Sequence, residues 1–267
     1  MSKELVMLEI KDITITYKNQ PTISHFSLNL KQGEICSIVG ESGSGKTTVI
    51  RAVLGLLPAG GKVTQGDIIF EGKPILANTK DEWRKLRGTD ISMIFQDSGA
   101  MINQTRTIGK QFVEYIRTHE KISKKEAWKK GKDMLERMRL PDSDNIMKSY
   151  SFQLSGGMRQ RVGIAMAMTF QPKLLLADEP TSALDVTTQA QIVRQMMELR
   201  DDYKTGIIMV THNLGVAAYM SDYIIVMKDG EIVDKGDRNY ILYHSTNYYT
   251  RSLLEAVPSL GGERYVS

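Results

Sequence analysis

Cysteine is almost absent from this chain, whose 267 residues include only Cys36. A disulfide within the chain would need a second cysteine, and the common four-cysteine iron–sulfur cluster would need three more, so both are excluded. Cys36 lies in the apolar run "ICSIV". We therefore expect it to be a small buried hydrophobe.

Long hydrophobic runs are lacking too. The longest are a few residues, such as "YIIVM" from Tyr223, whereas a membrane-spanning helix needs about 20 apolar residues. The first ten residues, "MSKELVMLEI", have no long apolar stretch of the kind found in a secretory signal. We expect a cytoplasmic protein without a membrane span of its own.

Charge of one sign does not dominate the sequence either. The net charge is +4 and 25% of the residues are charged, which is too weakly basic to indicate nucleic-acid binding. The most basic stretch, residues 124–139, mixes acids with lysines and arginines at helical spacing. This pattern favours a solvated helix face over a nucleic-acid or membrane patch.

Several short apolar runs alternate with helical patterns, at residues 35–39, 91–95, 174–177 and 207–210. Continuous apolar runs of this length predict strands that are covered by helices on both faces of a parallel sheet. Before them, alternating apolar residues up to Leu30 predict antiparallel strands. Residues 97–160 show only helical patterns, and residues 223–235 predict a hairpin around "KDGE".

A glycine-rich loop, "GESGSGKT", joins the first apolar run to a helical pattern. It matches G-x-x-x-x-G-K-[ST], in which backbone N–H groups surround phosphates, the lysine reaches the β- and γ-phosphates and the hydroxyl binds Mg²⁺. Lys46 and Thr47 have these last two roles here. The candidate phosphate-binding residues are Gly40, Glu41, Ser42, Gly43, Ser44, Gly45, Lys46, Thr47 and Thr48.

Polar residues end the later apolar runs. In "LLLADEP" the run ends at Asp178, a candidate Mg²⁺ ligand, and Glu179 follows as a candidate base for the attacking water. Gln96 ends another run and could contact both the metal and the water. His212 follows the run at 207–210 and could contact a γ-phosphate. Together these residues favour phosphoryl transfer to water.

A second glycine motif, "LSGGMRQR" at residues 154–161, also lies at the start of a predicted helix, where anions are favoured. The order of phosphate loop, Gln96, this motif, the carboxylate pair, "SALD" and His212 resembles the ATP-binding cassette (ABC) family over nearly the whole chain. The resemblance implies that Ser155, Gly156 and Gly157 hold the γ-phosphate of ATP bound to a second cassette in a head-to-tail dimer.

The same resemblance implies two further contacts and an architecture. Tyr17 would stack on adenine, although a strand tyrosine can also belong to a core, and Asp185 would contact the partner cassette. The implied fold is α/β: a P-loop core with a mostly parallel, helix-covered sheet, an N-terminal antiparallel β-subdomain and an inserted helical subdomain. In the single domain 1–267, the core is 1–96 and 161–240, the helical subdomain is 97–160 and the tail is 241–267.

Longer stretches are similar to one importer group. "EPTSALDVTTQAQI", "THNLGVAAYMSD" and the tail "YYTRSLLEAVPSL" resemble the ATPases that power peptide and nickel uptake. This implies ATP and Mg²⁺ as cofactors and a second ATPase, identical or related, as partner. It also implies integral membrane permeases, an indirect solute-binding protein, no nucleic acid, and a place on the inner face of the cell membrane.

The chain departs from that group in three ways. The clustered cysteines that many peptide importers carry near the C-terminus are absent, so we expect no iron–sulfur cluster. "DSGAMINQ" follows Gln96 where the group usually reads like "DPxxSLNP", so the surface that couples to the membrane subunit could be specialised. Asn213 replaces the aspartate that commonly follows the histidine, and we expect hydrolysis to survive this change.

Other functions stay open on the sequence alone. A soluble ABC ATPase acting on DNA or ribosomes usually has two cassettes or a long coiled-coil insertion, and exporters often fuse the cassette to a membrane domain. A P-loop kinase has no use for "LSGGM". No residue of the sequence identifies the transported solute, which could be a peptide, nickel or another metal chelate. No residue decides between a homodimer and a heterodimer either.

Overall fold

A computed structural model of the chain describes residues 6–96, 101–182 and 184–256. The strands are β1 Val6–Tyr17, β2 Gln20–Lys31, β3 Ile35–Val39, β4 Gly61–Phe70, β5 Lys73–Pro74, β6 Ile91–Ile94, β7 Leu174–Asp178, β8 Gly206–Thr211, β9 Tyr223–Lys228 and β10 Glu231–Asp237. The helices are α1 Lys46–Val53, α2 Lys80–Leu86, α3 Ile108–His119, α4 Lys124–Arg137, α5 Ser143–Lys148, α6 Gly156–Met168, α7 Val186–Tyr203, α8 Leu214–Met220 and α9 Tyr248–Glu255.

The chain divides into two compact units. The first contains Met1–Trp83 and Lys204–Ser267, and the second contains Arg84–Tyr203. The altered segment after Gln96 begins in residues 97–100, which lie outside the described residues, as do Ala183 of "SALD" and the end of the tail from residue 257. The expected subdivision into 1–96 with 161–240, 97–160 and 241–267 stays a prediction.

An antiparallel sheet with strand order β2-β1-β4-β5 belongs to the first unit. Apolar residues alternate along β1 and β2, and Ile13 pairs with Phe26 and Ile15 with Ile23, all fully buried. This period-two alternation gives one apolar face, as the sequence predicted. Strand β4 was not predicted, because its apolar residues are only Val63 and residues 68–70 and its middle, "TQGD", is polar.

A mixed sheet in the same unit has β3 between β8 and β9, both parallel to it, and β10 antiparallel to β9 at the edge. Every residue of β3 is buried, as expected for a strand covered on both faces. Cys36 is among them, and burial, with the nearby charge of Glu34, raises the pKa of its thiol. The prediction of a small buried hydrophobe is confirmed.

The second unit combines helices α3 to α7 with the parallel pair β6 and β7. Helix α4 begins with a capping box, in which the Ser123 side chain accepts from the Glu126 N–H and the Glu126 carboxylate accepts from the Ser123 N–H. Its buried residues include Ala127 and Leu135, and it packs against α3, where a Cβ added at Gly131 would lie 2.9 Å from the Phe112 side chain. This apolar face explains why residues 97–160 read as helical.

The α/β class, with an antiparallel and a mixed sheet, is thus confirmed. In residues 6–96, 101–182 and 184–256 no helix is both long enough and apolar enough to cross a membrane. The carboxyl ends of β3 and β8 in the first unit, and of β6 and β7 in the second, carry the polar residues that the sequence singles out.

Candidate functional site

The phosphate loop connects β3 to α1, as its motif predicted. Gly45 immediately precedes the helix with φ 96°, a left-handed conformation that a side chain would strain. Gly45 has no side chain to cap the helix, and the first turn of α1 contains no acidic residue. An anion at this helix start therefore meets backbone N–H groups and the positive end of the helix dipole.

Lys46 points back into the loop. Its side chain is 5% exposed, and its ammonium donates to the carbonyl of Gly40 at 2.8 Å, the carbonyl of Glu41 at 2.6 Å and the hydroxyl of Ser44 at 3.2 Å. These contacts fix one positive charge at the centre of the loop. The residues therefore fit a polyphosphate. The Lys46 ammonium, the N-terminus of α1 and the half-buried Thr47 and Thr48 are adjacent in the chain.

Tyr17 is the last residue of β1, opposite Gln20 on β2 and Gly61 on β4. Its half-buried ring lies over Gly61, where an added Cβ would come within 2.6 Å of the ring. Two residues earlier, Ile15 pairs with Ile23, whose side chain reaches the position of a Cβ on Gly45. Tyr17 therefore ends a strand whose partner packs against the phosphate loop.

His212 directly follows β8 and is exposed. Its neighbour Asn213 caps helix α8, with the side-chain oxygen accepting from the Val216 N–H at 3.2 Å. Asparagine and aspartate are both favoured at this position. The third sequence departure therefore keeps a helix cap while removing a charge beside His212.

In the second unit, the parallel strands β6 and β7 bring Gln96 and Glu179 together. The Gln96 amide donates to a Glu179 carboxylate oxygen at 3.2 Å. Asp178, the last residue of β7, is 3% exposed, and Glu179 is half-buried. The arrangement places two carboxylates and an amide at one sheet edge, which is a donor set that suits Mg²⁺ and an attacking water.

The backbone at Glu179 is left-handed, with φ 46°. Its carbonyl accepts from the Ser182 N–H at 3.1 Å and the Ser182 hydroxyl at 3.0 Å. The next carbonyl, of Pro180, accepts from the buried Gln160 amide at 2.6 Å. These bonds hold a conformation that is costly for a residue with a Cβ.

Gln160 is a residue that sequence reasoning missed. It belongs to "LSGGMRQR" and lies on α6, so one helix carries the signature glycines and also supports the turn at Glu179. In the sequence, Gln160 is a polar residue one helical turn after the glycines. The motif alone does not show whether such a residue is buried or exposed to solvent.

Ser155 caps α6, and its hydroxyl accepts from the Met158 N–H at 3.3 Å. Gly156 and Gly157 form the first turn. An added Cβ on Gly157 would lie 2.8 Å from the Thr188 methyl, so only glycine allows this approach. The same Thr188 donates its N–H to Asp185 at 2.9 Å and its hydroxyl at 2.6 Å. These hydrogen bonds, with the hydroxyl's effect the largest, lower the pKa of Asp185.

Comparisons with known proteins agree with this geometry. The ABC transporter family matches residues 23–182. The chain is 43% identical over 259 residues to the oligopeptide transport ATP-binding protein OppD of Bacillus subtilis, covering 95% of this chain and 72% of that protein. It is 39% identical over 265 residues to the dipeptide transport ATP-binding protein DppD of Lactococcus lactis, covering 97% and 76%.

Solved structures give the same result. CbiO1 of Clostridium perfringens, part of the ABC transporter complex cbiONQ, has a TM-score of 0.78 at 27% identity and covers 89% of this chain and 91% of its own. The ATP-binding cassette MJ0796, a dimer bound to ADP and Pi after hydrolysis, has a TM-score of 0.77 at 30% identity and covers 87% and 99%. The chain therefore belongs to the ABC transporter family, as an ATP-hydrolysing cassette.

Proposed function

We propose that this chain is the ATPase subunit of a peptide importer and acts with separate membrane permeases that receive substrate from a solute-binding protein. The observation that carries the proposal is the similarity of 95% of the chain to an oligopeptide transport ATPase. The dipeptide transport relative supports it. Both names favour peptides over nickel or other metal chelates, and over export or action on nucleic acid or ribosomes. As a peripheral subunit the chain would lie on the inner face of the cell membrane.

The first unit holds the nucleotide in this proposal. Lys46 and the backbone N–H groups of residues 40–48 bind the phosphates, Tyr17 stacks on adenine, and His212 contacts the γ-phosphate. The support is the ammonium held inside the loop and the helix start at Gly45. A fixed cation and fixed dipoles stabilise the charge that develops on the transferred phosphoryl group.

The second unit supplies the hydrolytic groups. Glu179 accepts the proton of the attacking water, with Gln96 orienting its carboxylate. Asp178 and Gln96 are the Mg²⁺ ligands proposed for this unit, and bound Mg²⁺ would neutralise phosphate charge. In the first unit, Thr47 of the phosphate-loop motif is the proposed Mg²⁺ ligand. No iron–sulfur cluster is part of the proposal, because the chain has one cysteine.

Two copies, or this chain and a related ATPase, complete the reaction. Ser155, Gly156 and Gly157 of one subunit hold the γ-phosphate of ATP on the other, and Asp185 contacts the partner. The capped helix start at Ser155 and its first turn without acids support an anion there. The similar cassette MJ0796 is dimeric.

Peptide uptake tests the importer. We expect a cell lacking this chain to lose uptake of a labelled oligopeptide and to regain it with the wild-type chain but not with Glu179→Gln. Retained peptide uptake with loss of nickel-63 uptake would instead assign a metal-chelate importer, and unchanged uptake of both would refute this substrate class.

The solution mass of Glu179→Gln tests the pairing. A shift from one chain to two on adding Mg-ATP would show that identical chains pair, and Ser155→Arg in the same background should abolish the shift while leaving ATP affinity unchanged. A mass that stays at one chain despite ATP binding would contradict pairing of identical chains without the membrane subunits and favour a different ATPase as partner.

A further inference from the structure

The tail residue Tyr249 touches the phosphate loop, 208 positions away in the chain. Its hydroxyl accepts a hydrogen bond from the Glu41 N–H at 3.1 Å. The sequence marks this tail as similar to one importer group, yet the ATPase reaction described above makes no use of it. The contact lies entirely within the first unit.

The Glu41 N–H shares a peptide group with the Gly40 carbonyl, and this carbonyl accepts from Lys46 at 2.8 Å. A trans peptide group is planar and rigid, so its N–H and C=O cannot turn independently. Tyr249 therefore binds the N–H edge of this peptide group, and Lys46 binds its C=O edge. Hydrogen bonds at both edges also polarise the amide in the same sense, which strengthens each of them.

Tyr249 is itself held firmly by contacts away from the loop. Asn247 caps α9, accepting from the Tyr249 and Thr250 N–H groups, and its amide donates to the Val233 carbonyl at 2.9 Å. The Thr250 hydroxyl donates to Asp234 at 2.8 Å. The ammonium of Lys228 lies 5.0 Å from the centre of the Tyr249 ring, a cation–π distance.

Packing adds to these polar anchors. Leu254 of α9 belongs to the same buried cluster as Val39, the last residue of β3, and Tyr249 packs against that cluster. The helix is thus fixed to the strand that leads into the phosphate loop. The hydroxyl of Tyr249 is consequently a fixed acceptor rather than a freely moving one. Burial raises its pKa further above neutrality.

We propose that Tyr249 is a positioning residue for the phosphate loop: its hydroxyl orients the Gly40–Glu41 peptide and, through the Gly40 carbonyl, the Lys46 ammonium. The inference rests on the proposed binding of ATP phosphates by this loop. Loss of the hydroxyl would let the peptide rotate, and Lys46 would then meet the phosphates less often in the right place.

The test is Tyr249→Phe in the full chain, which keeps the ring under Lys228 and removes only the acceptor. Tyr248→Phe is the matched control, since Tyr248 is 88% exposed. From the net worth of one hydrogen bond we expect Tyr249→Phe to weaken Mg-ATP binding about twofold to tenfold. KM should rise by the same factor with kcat at saturation unchanged, and the control should match the wild type.

A second measurement needs no nucleotide. The Glu41 amide should exchange faster with deuterium in Tyr249→Phe, while amides of β9 and β10 keep their protection. Unchanged affinity, an equal loss in Tyr248→Phe, or an unaltered Glu41 amide would each overturn the positioning role. A wild-type chain that fails to bind Mg-ATP would overturn the assignment of the phosphate loop itself, and the inference with it.

Discussion

Replacing Glu179 by glutamine should stop ATP turnover while preserving the shape of the site. The carboxylate accepts a hydrogen bond from Gln96 at 3.2 Å, and the amide oxygen of a glutamine can accept the same bond. The backbone bonds from Ser182 to the Glu179 carbonyl do not involve the side chain. The substitution therefore removes a proton acceptor and a negative charge, and it keeps the hydrogen bond from Gln96 and the backbone bonds from Ser182.

The magnitude follows from the role. A positioned general base contributes about 10²–10⁴-fold to a rate, which corresponds to roughly 2.7–5.4 kcal/mol of activation free energy. We expect kcat of Glu179→Gln to fall by that factor. The dissociation constant for Mg-ATP should stay within about threefold of the wild type, because the groups proposed to bind the phosphates are untouched.

The assay is phosphate release at saturating Mg-ATP, with equilibrium binding measured in parallel. Glu198→Gln is the matched control: the same chemical change in the same unit, at a glutamate whose exposed ion pair with Arg139 contributes little. Turnover of Glu179→Gln within about tenfold of the wild type would be less than a general base supplies and would refute the assignment.

Three further predictions concern other residues of the site. Lys46→Ala should lose measurable Mg-ATP binding, because the ammonium held by the loop carbonyls disappears; an unchanged dissociation constant in calorimetry would contradict this. Gln160→Met should lower the free energy of unfolding by about 1–3 kcal/mol, because the Pro180 carbonyl loses the Gln160 donor. It should also slow ATP turnover. Equal stability of the variant and the wild type in urea denaturation would show that this hydrogen bond is replaceable. Asp185 has its pKa depressed below the ordinary 3.8 by Thr188, so the hydrogen bonds between the Asp185 carboxylate and Thr188 stabilise the fold above that pH. This stabilisation disappears as the pH falls through the lower pKa of the folded state. The difference in Tm between wild type and Asp185→Ala should therefore be constant near neutral pH and shrink below pH 3.8; a difference that grows on acidification would contradict the sign.

The strands that carry the site were predictable because their signal is local. Residues 35–39 were predicted as a strand and β3 is Ile35–Val39, since a strand buried on both faces is apolar throughout. The run at 174–177 extends by one residue to Asp178, which a reading of apolar residues alone must omit. The helix after the phosphate loop ends at Val53, although its apolar pattern continues to Leu57.

Contacts between distant residues were not predictable in this way. Gln96 and Glu179 are 83 positions apart and meet because β6 and β7 are neighbours, and no periodicity in one sequence reveals which strands pair. The left-handed backbone of Glu179 is equally hidden, because the sequence there has glutamate rather than glycine. Its support comes from Ser182 and Gln160, whose hydrogen bonds exist only once the chain is folded.

This difference separates two kinds of residue in the cassette. A residue such as Lys46 has a role that its motif states, because phosphate binding needs that chemistry at that spacing. Tyr249 and Gln160 have ordinary polar side chains, and their roles come from the backbone groups they reach: the Glu41 N–H and the Pro180 carbonyl. Each acts on a peptide group beside a motif residue rather than on the residue's own side chain. Because one hydrogen bond is worth far less than a lost ammonium or base, substitutions at such supports should change affinity or rate by small factors where motif substitutions abolish function.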